Sequence, residues 1–432
     1  MLKGKKKLII IALAAIFCTG GIKGQNLNPS NNGNTPYSRY GFGRLAETSF
    51  VRNRAMGGIG IGLRSNMQTN VLNPASYTAI DSLTFLFDFG LNAQIANYKE
   101  DGLTQSKWNG GLDYMAMQFP MGKKFSASLG ILPFTYVGYG YGGVDSTMLT
   151  LPDNTQESAI YTKKYAGDGG LNKAYLGFGA KPFKWMSLGV NVGYIFGEIA
   201  NSYAVSFTNS VISTSTAYSY LSASAIDLQL GVQFMNTFNE KHEVVVGAVF
   251  SPKMNMWVDG DYITSATTTD TISAHHVLNI PTKMGLGATY VYDKRLTVGA
   301  DFSVEKWGGV SAVAVDNITD TDNTLFKDCS KFALGAEYLP SLTSRNYLKK
   351  MRYRLGFNYS ESYLDILGSR NKELGITAGL GFPLRSQKSM VNFAVEYTKV
   401  NPENKKFLSE SYLQFNVGLT FNEFWFFKNK LK

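Results

Sequence analysis

Residues 412–421 read Tyr-Leu-Gln-Phe-Asn-Val-Gly-Leu-Thr-Phe. Successive side chains of an extended strand point to opposite sides. Leu413, Phe415, Val417, Leu419 and Phe421 therefore share one face, and Tyr412, Gln414, Asn416, Gly418 and Thr420 the other. The same period of two recurs along the chain. Ile226, Leu228, Leu230, Val232 and Phe234 alternate with Asp227, Gln229, Gly231 and Gln233. Leu296, Val298, Ala300, Phe302 and Val304 alternate with Thr297, Gly299, Asp301, Ser303 and Glu305, and Met186, Leu188, Val190, Val192 and Tyr194 with Ser187, Gly189, Asn191 and Gly193. Similar segments lie near 84–98, 110–120, 124–138, 173–182, 242–256, 281–292, 328–339, 351–362, 372–382 and 389–400. This amounts to about 14 strands, each close to the ~10 residues that a tilted strand needs to cross a bilayer. The expectation is an all-β fold: an antiparallel transmembrane β-barrel of about 14 strands, an even number as single-chain bacterial barrels have. The second face is polar but rich in Gly, which suits a lumen. A soluble sandwich also alternates, but with shorter strands and more charge on its outer faces.

Composition agrees. Charged residues make up 17 % of the 432, aromatics 13 %, and Gly numbers 44. An ordinary soluble protein carries ~25 % charged residues, whereas this chain is too apolar and aromatic to be disordered. Three His and two Cys exclude a zinc or disulfide scaffold.

Lys3, Lys5, Lys6 and Lys7 precede an apolar run at 8–17, the pattern of a signal peptide over 1–24 with cleavage near Gly24 and Gln25. Ile22 departs from the preferred small residue there. Cys18 follows Phe17 rather than a small residue, which disfavours lipidation. With five Lys and no acid in the signal segment, the formal charge falls from +10 to +5 on its removal. The basic balance is thus partly an export signal. No interleaved Lys/Arg–aromatic run points to nucleic acid. Cys329 is then the single thiol, so no internal disulfide is expected. No later stretch reaches 18 uninterrupted apolar residues, so no membrane helix follows.

Short links at 121–124, 183–185, 236–241, 293–295 and 384–388 alternate with longer ones at about 99–109, 139–172, 257–280 and 306–327, as periplasmic turns and extracellular loops do. The link at 340–350 is long for a periplasmic turn. Thr/Ser/Asp-rich runs at 207–219, 262–273 and 316–324 suit exposed loop tips.

The segment 25–83 precedes the barrel proper at 84–432. It carries Arg54-Ala55-Met56-Gly57-Gly58-Ile59-Gly60-Ile61-Gly62 and then Asn73-Pro74-Ala75. As a dinucleotide loop the G-x-G-x-G run lacks its preceding strand and following helix. Close packing of small residues inside something narrow is the better reading.

Arg54-Ala55-Met56-Gly57-Gly58 and Asn73-Pro74-Ala75, ahead of alternating strands, resemble the FadL family of outer-membrane transporters, and within it the Bacteroidetes-type members related to the PorV group. The resemblance implies a 14-stranded barrel whose lumen holds an N-terminal hatch, with Arg54, Gly57, Gly58, Asn73, Pro74 and Ala75 as its motif residues. The run 418–428 resembles the tail of such barrels in Bacteroidetes. Aromatic C-terminal strands are read by barrel assembly machinery, which makes Phe421, Trp425 and Phe427 the candidate insertion signal. The chain continues past them with Lys428, Lys430 and Lys432. An aromatic girdle at the interface is the plainer reading of the same residues.

In the third strand, Phe125, Ala127, Leu129 and Ile131 lie opposite Ser126, Ser128 and Gly130. Pro133 then intervenes, and Leu132, Phe134 and Tyr136 fall on the previously polar face. Proline cannot donate to a ladder and marks an edge or bulge. In the family, ligand leaves sideways through a gap made by a kinked third strand. The resemblance thus makes Gly130, Leu132, Pro133, Phe134 and Tyr136 candidates for a lateral gap and an apolar pocket; an ordinary bulge is the alternative.

Catalytic chemistry finds no support. His275 and His276 adjoin in an expected loop and point apart, His242 sits by a turn, and no G-x-S-x-G, HExxH or P-loop occurs. Neither an enzyme, nor a cofactor, nor a metal is expected. The leading expectation is a passive transporter of hydrophobic compounds, such as long-chain fatty acids or aromatic hydrocarbons, in a Gram-negative, Bacteroidetes-like outer membrane. Its partners would be outer-membrane lipids, the assembly machinery and a hydrophobic small-molecule ligand. The alternative is a non-transport component of a secretion or outer-membrane assembly complex, acting through an envelope or secretion protein partner. A general porin fits less well, given the plug and few assignable lumen charges. The lumen discriminates: a transporter needs a continuous apolar pocket leading to a wall gap, an assembly or secretion component a closed lumen and large ordered loops meeting a partner.

Overall fold

A computed structural model describes residues 35–100, 102–150, 156–208, 214–265, 268–310, 326–384, 388–405 and 407–424. The expected signal peptide, Trp425 and Phe427 lie outside the described residues. Fourteen antiparallel strands close into one barrel. They are β1 (Thr84–Glu100), β2 (Leu103–Pro120), β3 (Phe125–Pro133, resuming as Thr135–Thr150), β4 (Gln156–Phe183), β5 (Met186–Phe207) and β6 (Ser215–Phe238). There follow β7 (His242–Ser251, resuming as Met254–Ser265), β8 (Thr269–Ile280, resuming as Lys283–Tyr292), β9 (Leu296–Glu305) and β10 (Cys329–Tyr338). The last are β11 (Arg352–Ile366), β12 (Ser369–Pro383), β13 (Met390–Pro402) and β14 (Ser409–Phe424). β14 pairs with β1 from Ser409↔Lys99 to Phe424↔Thr84, which closes the barrel and leaves no free sheet edge there.

Alternation places the side chains as the sequence implies. Leu188, Val192, Ile226, Leu230 and Phe234 are exposed on the outside, whereas Ser187, Asn191, Gln229 and Gln233 are buried inside. Three links use consecutive residues with positive φ, Asn239–Glu240 (48° and 57°), Asp293–Lys294 (51° and 54°) and Leu367–Gly368 (51° and 75°). That backbone matches the twist of a two-residue hairpin.

Three strands are interrupted, each at a proline: Pro133 in β3, Pro252 in β7 and Pro281 in β8. The last two breaks lie side by side in neighbouring strands.

Several expected loops are strand. Residues 139–150 and 156–172 extend β3 and β4, and 257–265 and 269–280 extend β7 and β8, well past the apolar belt, while β1 and β2 stay paired out to Glu100↔Leu103. His275 accordingly lies on a strand, its Nδ1 2.7 Å from Asp259 Oδ1. Strands that leave the membrane keep their ladder hydrogen bonds but lose the apolar face, so the hydrophobic period stops before the strand does. The result is a tall wall from β3 to β8 at the end of the barrel opposite the chain's C-terminal strand end. Below it, Phe42, Trp307, Phe326 and Tyr363 form an aromatic cluster, with Trp307 4.5 Å from Tyr363 between ring centroids.

Candidate functional site

The N-terminal segment runs inside the barrel. It forms a 3-10 turn at Pro36–Arg39, a two-residue strand at Arg44–Leu45, one helical turn at Val51–Arg54 and a 3-10 helix at Pro74–Ala79. Its contacts reach strands all round the wall, so it fills the cross-section of the lumen.

The motif residues are the points of attachment. Arg54 Nε donates to Ser49 O (2.9 Å), Nη2 to Glu47 O and to Asp113 Oδ1 (both 2.8 Å), and Nη1 to Asn416 Oδ1 (3.3 Å). It thereby ties the segment to β2 and β14. Gly57 has φ +72°, and its N–H donates to Thr377 Oγ1 at 2.9 Å. A Cβ there would sit 2.5 Å from the carbonyl oxygens of Leu334 and Phe357, and L-residues avoid that backbone region. Gly58 follows with φ +88°. Asn73 caps the 3-10 helix: its Oδ1 accepts from Ala75 N (3.1 Å) while Nδ2 donates to Ile61 O (2.8 Å) and Val232 O (3.2 Å). Pro74 opens that helix and Ala75 is fully buried. Barrel glycines make room: a Cβ on Gly231 would strike Asn73 Oδ1. The Gly-rich luminal face thus serves close approach of a second backbone.

Few lumen charges could be assigned from the sequence, and the structure places several there. Glu337 accepts from Arg52 Nε (3.1 Å) and Nη2 (3.0 Å), Arg352 Nη1 (2.6 Å) and Arg354 Nε (2.6 Å), and is 2 % exposed. Asp301 accepts the N–H groups of Gly60 (2.6 Å) and Ile61 (2.7 Å). Asp88 accepts from Thr69 N at 2.7 Å and bonds Thr420. Burial would raise the Glu47 carboxyl, but Lys331 and Arg54 beside it outweigh burial and hold it at about 2. The signal for these anchors was present: single charges on the inward phase of alternating strands, such as Asp301.

The lateral-gap candidates gather at one seam. β2 pairs with β3 only from Met115↔Ile131 to Pro120↔Ser126. Among the described residues no ladder joins β2 to β3 beyond Pro133. The edge of β3 that would face β2 is met instead by the segment's own strand, through Arg44↔Tyr136 and Leu45↔Thr135. Ala46 N donates to Phe134 O (2.9 Å) and Thr35 N to Gly138 O (3.0 Å). Lys107 Nζ spans the seam, donating to Gly140 O at 3.2 Å. Gly130 is packed against Met115 O, and Leu132 is buried.

Phe134 and Tyr136 line a luminal cavity of about 280 Å³, and Leu132 and Phe134 a second of about 140 Å³. The larger cavity is mixed rather than apolar, whereas in the smaller Leu132 and Phe134 are joined by Val71, Leu72, Val249 and Ile280. The larger cavity is also lined by Arg44, Glu47, Lys283, Glu373, Glu396 and Glu410, because the inward phase of the surrounding strands is charged. Phe421 faces outward, with its ring centroid 6.4 Å from that of Phe87 on the closing strand.

A family model described as BamG matches residues 5–432. No curated protein matches the chain. Among solved structures, the toluene transporter TbuX of Ralstonia pickettii is similar with a TM-score of 0.55 at 15 % identity, over 87 % of this chain and 98 % of that one. The toluene transporter TodX of Pseudomonas putida gives 0.55 at 14 %, over 89 % and 99 %. A FadL homologue of Pseudomonas aeruginosa gives 0.60 at 12 %, over 88 % and 99 %. At such identities the likeness is one of fold: the chain has the architecture of FadL-type barrels.

Proposed function

The chain belongs to the BamG family, and from that premise we propose that it is an outer-membrane component of the machinery that assembles other β-barrels, acting through protein contacts. The family name supports the link to barrel assembly. A shared fold leaves the role open, so the site has to carry the argument. The observation that carries it is the pinned, charged lumen. Displacing the segment would break the Glu337 cluster and the Arg54–Asp113 pair, both buried. Breaking one such buried pair costs ~3–5 kcal/mol, so a path through the middle is closed. The tall wall from β3 to β8 offers ordered structure for a partner. The reading involves no bond making, cofactor or metal, and places the protein in a Gram-negative outer membrane of the Bacteroidetes type. Gentle solubilisation of native membranes with affinity capture of the tagged chain tests it. Stoichiometric recovery of the assembly machinery is expected; recovery of the barrel alone, with bound lipid, would overturn it.

The seam at Gly130, Pro133 and Tyr136 favours a second reading, lateral passage of a hydrophobic compound; TbuX and TodX are named as toluene transporters. Leu132, Phe134 and Tyr136 would then contact the ligand as it leaves. Uptake of a hydrophobic probe by proteoliposomes tests this reading. It requires uptake that changes in a correctly folded Pro133→Val variant; unchanged uptake removes it.

A further inference from the structure

The inward face of the tall wall carries a second cleft, which runs from β3 away from the seam and is unused by the function proposed above. The register sets Tyr141, Tyr165, Tyr203 and Ala217 side by side on β3, β4, β5 and β6. The next row holds Tyr139, Gly167, Asn201, Ser219 and Tyr262. Tyr141, Tyr165 and Tyr203 form a ladder, with ring centroids 5.2 and 4.7 Å apart. Arg39 of the luminal segment lies 4.4 Å above the Tyr165 ring. The ladder stops at the small residues Ala217 and Ser219, and Tyr262 stands on the strand beyond. A cavity of about 110 Å³ opens there, lined by Arg39, Asn201, Tyr203, Ala217, Ser219 and Tyr262 among others.

Ser219 points to a ligand. It is 2 % exposed, and its Oγ has no hydrogen-bond partner although it lines the cavity. A buried hydroxyl left unpaired is unfavourable unless something arrives to pair it.

We propose that this cleft binds a sugar ring, held between Tyr203 and Tyr262 over Ala217 and Ser219. Two strand spacings (about 9.5 Å) and a two-residue offset along the strands (about 7 Å) set the backbones of Tyr203 and Tyr262 about 12 Å apart. A flat ring touching aromatic faces on both sides needs only about 7–8 Å, so a thicker puckered ring fills the slot better. Sugar C–H bonds carry partial positive charge and pack on the negative faces of aromatic rings. The hydroxyls find a donor and acceptor in Ser219, an amide in Asn201 and donors on Arg39. Placement beyond the membrane belt makes surface glycans, free or lipid-borne, the source.

Ligand-observed NMR on the full chain in nanodiscs tests the proposal, with methyl α-mannoside, methyl β-galactoside and methyl N-acetyl-β-glucosaminide as probes. At least one is expected to receive saturation. Its affinity should drop tenfold or more in Tyr203→Ala and in Ala217→Phe, which fills the slot. Ser219→Val provides a milder third variant, and heat-modifiable gel migration verifies that each barrel is folded. Nanodiscs containing lipopolysaccharide distinguish the source: loss of probe binding there identifies a lipid-borne glycan, and retained binding a soluble one. Absence of binding by all three glycosides, binding unchanged in folded Ala217→Phe, or displacement by N-acetyl-tyrosinamide more readily than by sugar would overturn it.

Discussion

Glu337→Gln tests whether charge holds the luminal segment in place. Glu337 accepts four N–H···O bonds at 2.6–3.1 Å, two from Arg52 of the segment and one each from Arg352 and Arg354 of the neighbouring strand. The side chain of Arg354 is fully buried, and that of Arg52 nearly so. Gln keeps the shape but has one acceptor oxygen and no charge. Three guanidinium groups then lose their counterion. Removing one partner of a buried pair costs ~3–5 kcal/mol. At ~1.4 kcal/mol per tenfold, the segment should open about 100- to 3,000-fold more often. Amide hydrogen exchange in nanodiscs reads this directly: peptides covering 50–62 should lose protection by that factor, while peptides from Ser215–Phe238 keep theirs. If exchange over 50–62 changes less than threefold in a folded barrel, shape rather than charge pins the segment.

Gly57→Ala should lower the thermal midpoint of the heat-modifiable form, since both the φ of +72° and the 2.5 Å approach to two carbonyl oxygens oppose a Cβ; the cost exceeds ~1 kcal/mol. Glu47 titrates at about 2 in the folded protein, below the ~4.3 of an unperturbed Glu. Its stabilising contribution is therefore complete above that range and lost as pH falls through it, so protection of the segment should decline from pH 4.3 toward 2 (approximate limits); Glu47→Gln should flatten that decline in pH-dependent exchange. At the seam, cysteines replacing Lys107 and Gly140 should be joined by a short bis-maleimide but form no direct disulfide, which needs Cα atoms within ~7 Å. Ready disulfide formation on oxidation would mean that the seam is shut.

The barrel was legible because a membrane wall with a filled lumen repeats one constraint on every strand. Leu413 to Phe421 and Ile226 to Phe234 carry it unbroken. Strand ends were not legible. Beyond the belt both faces of β4, β7 and β8 are polar, so hydrogen bonding alone continues the strand and leaves no mark in hydropathy. The proline in β3 was visible, and those in β7 and β8 went unread, because one residue without a donor registers only where the alternation shifts phase beside it. The lumen was half legible. Arg54 and Asn73 stood out in the segment, but their partners Asp113, Asn416 and Val232 are distant in sequence, and only the closed barrel brings them together. The charged lining of the larger cavity went unread for the same reason: Phe134 and Tyr136 line it, yet strands distant in sequence supply Lys283, Glu373 and Glu410.

The most direct test of the account depletes the protein and follows two quantities in the same cells: the rate at which newly exported barrel proteins become heat-modifiable, and the uptake of a hydrophobic aromatic probe. The expected result is that newly made barrels accumulate unfolded while probe uptake holds steady. Normal barrel maturation together with a fall in uptake would contradict the account and return the luminal cavity and its seam to the role of a transport path.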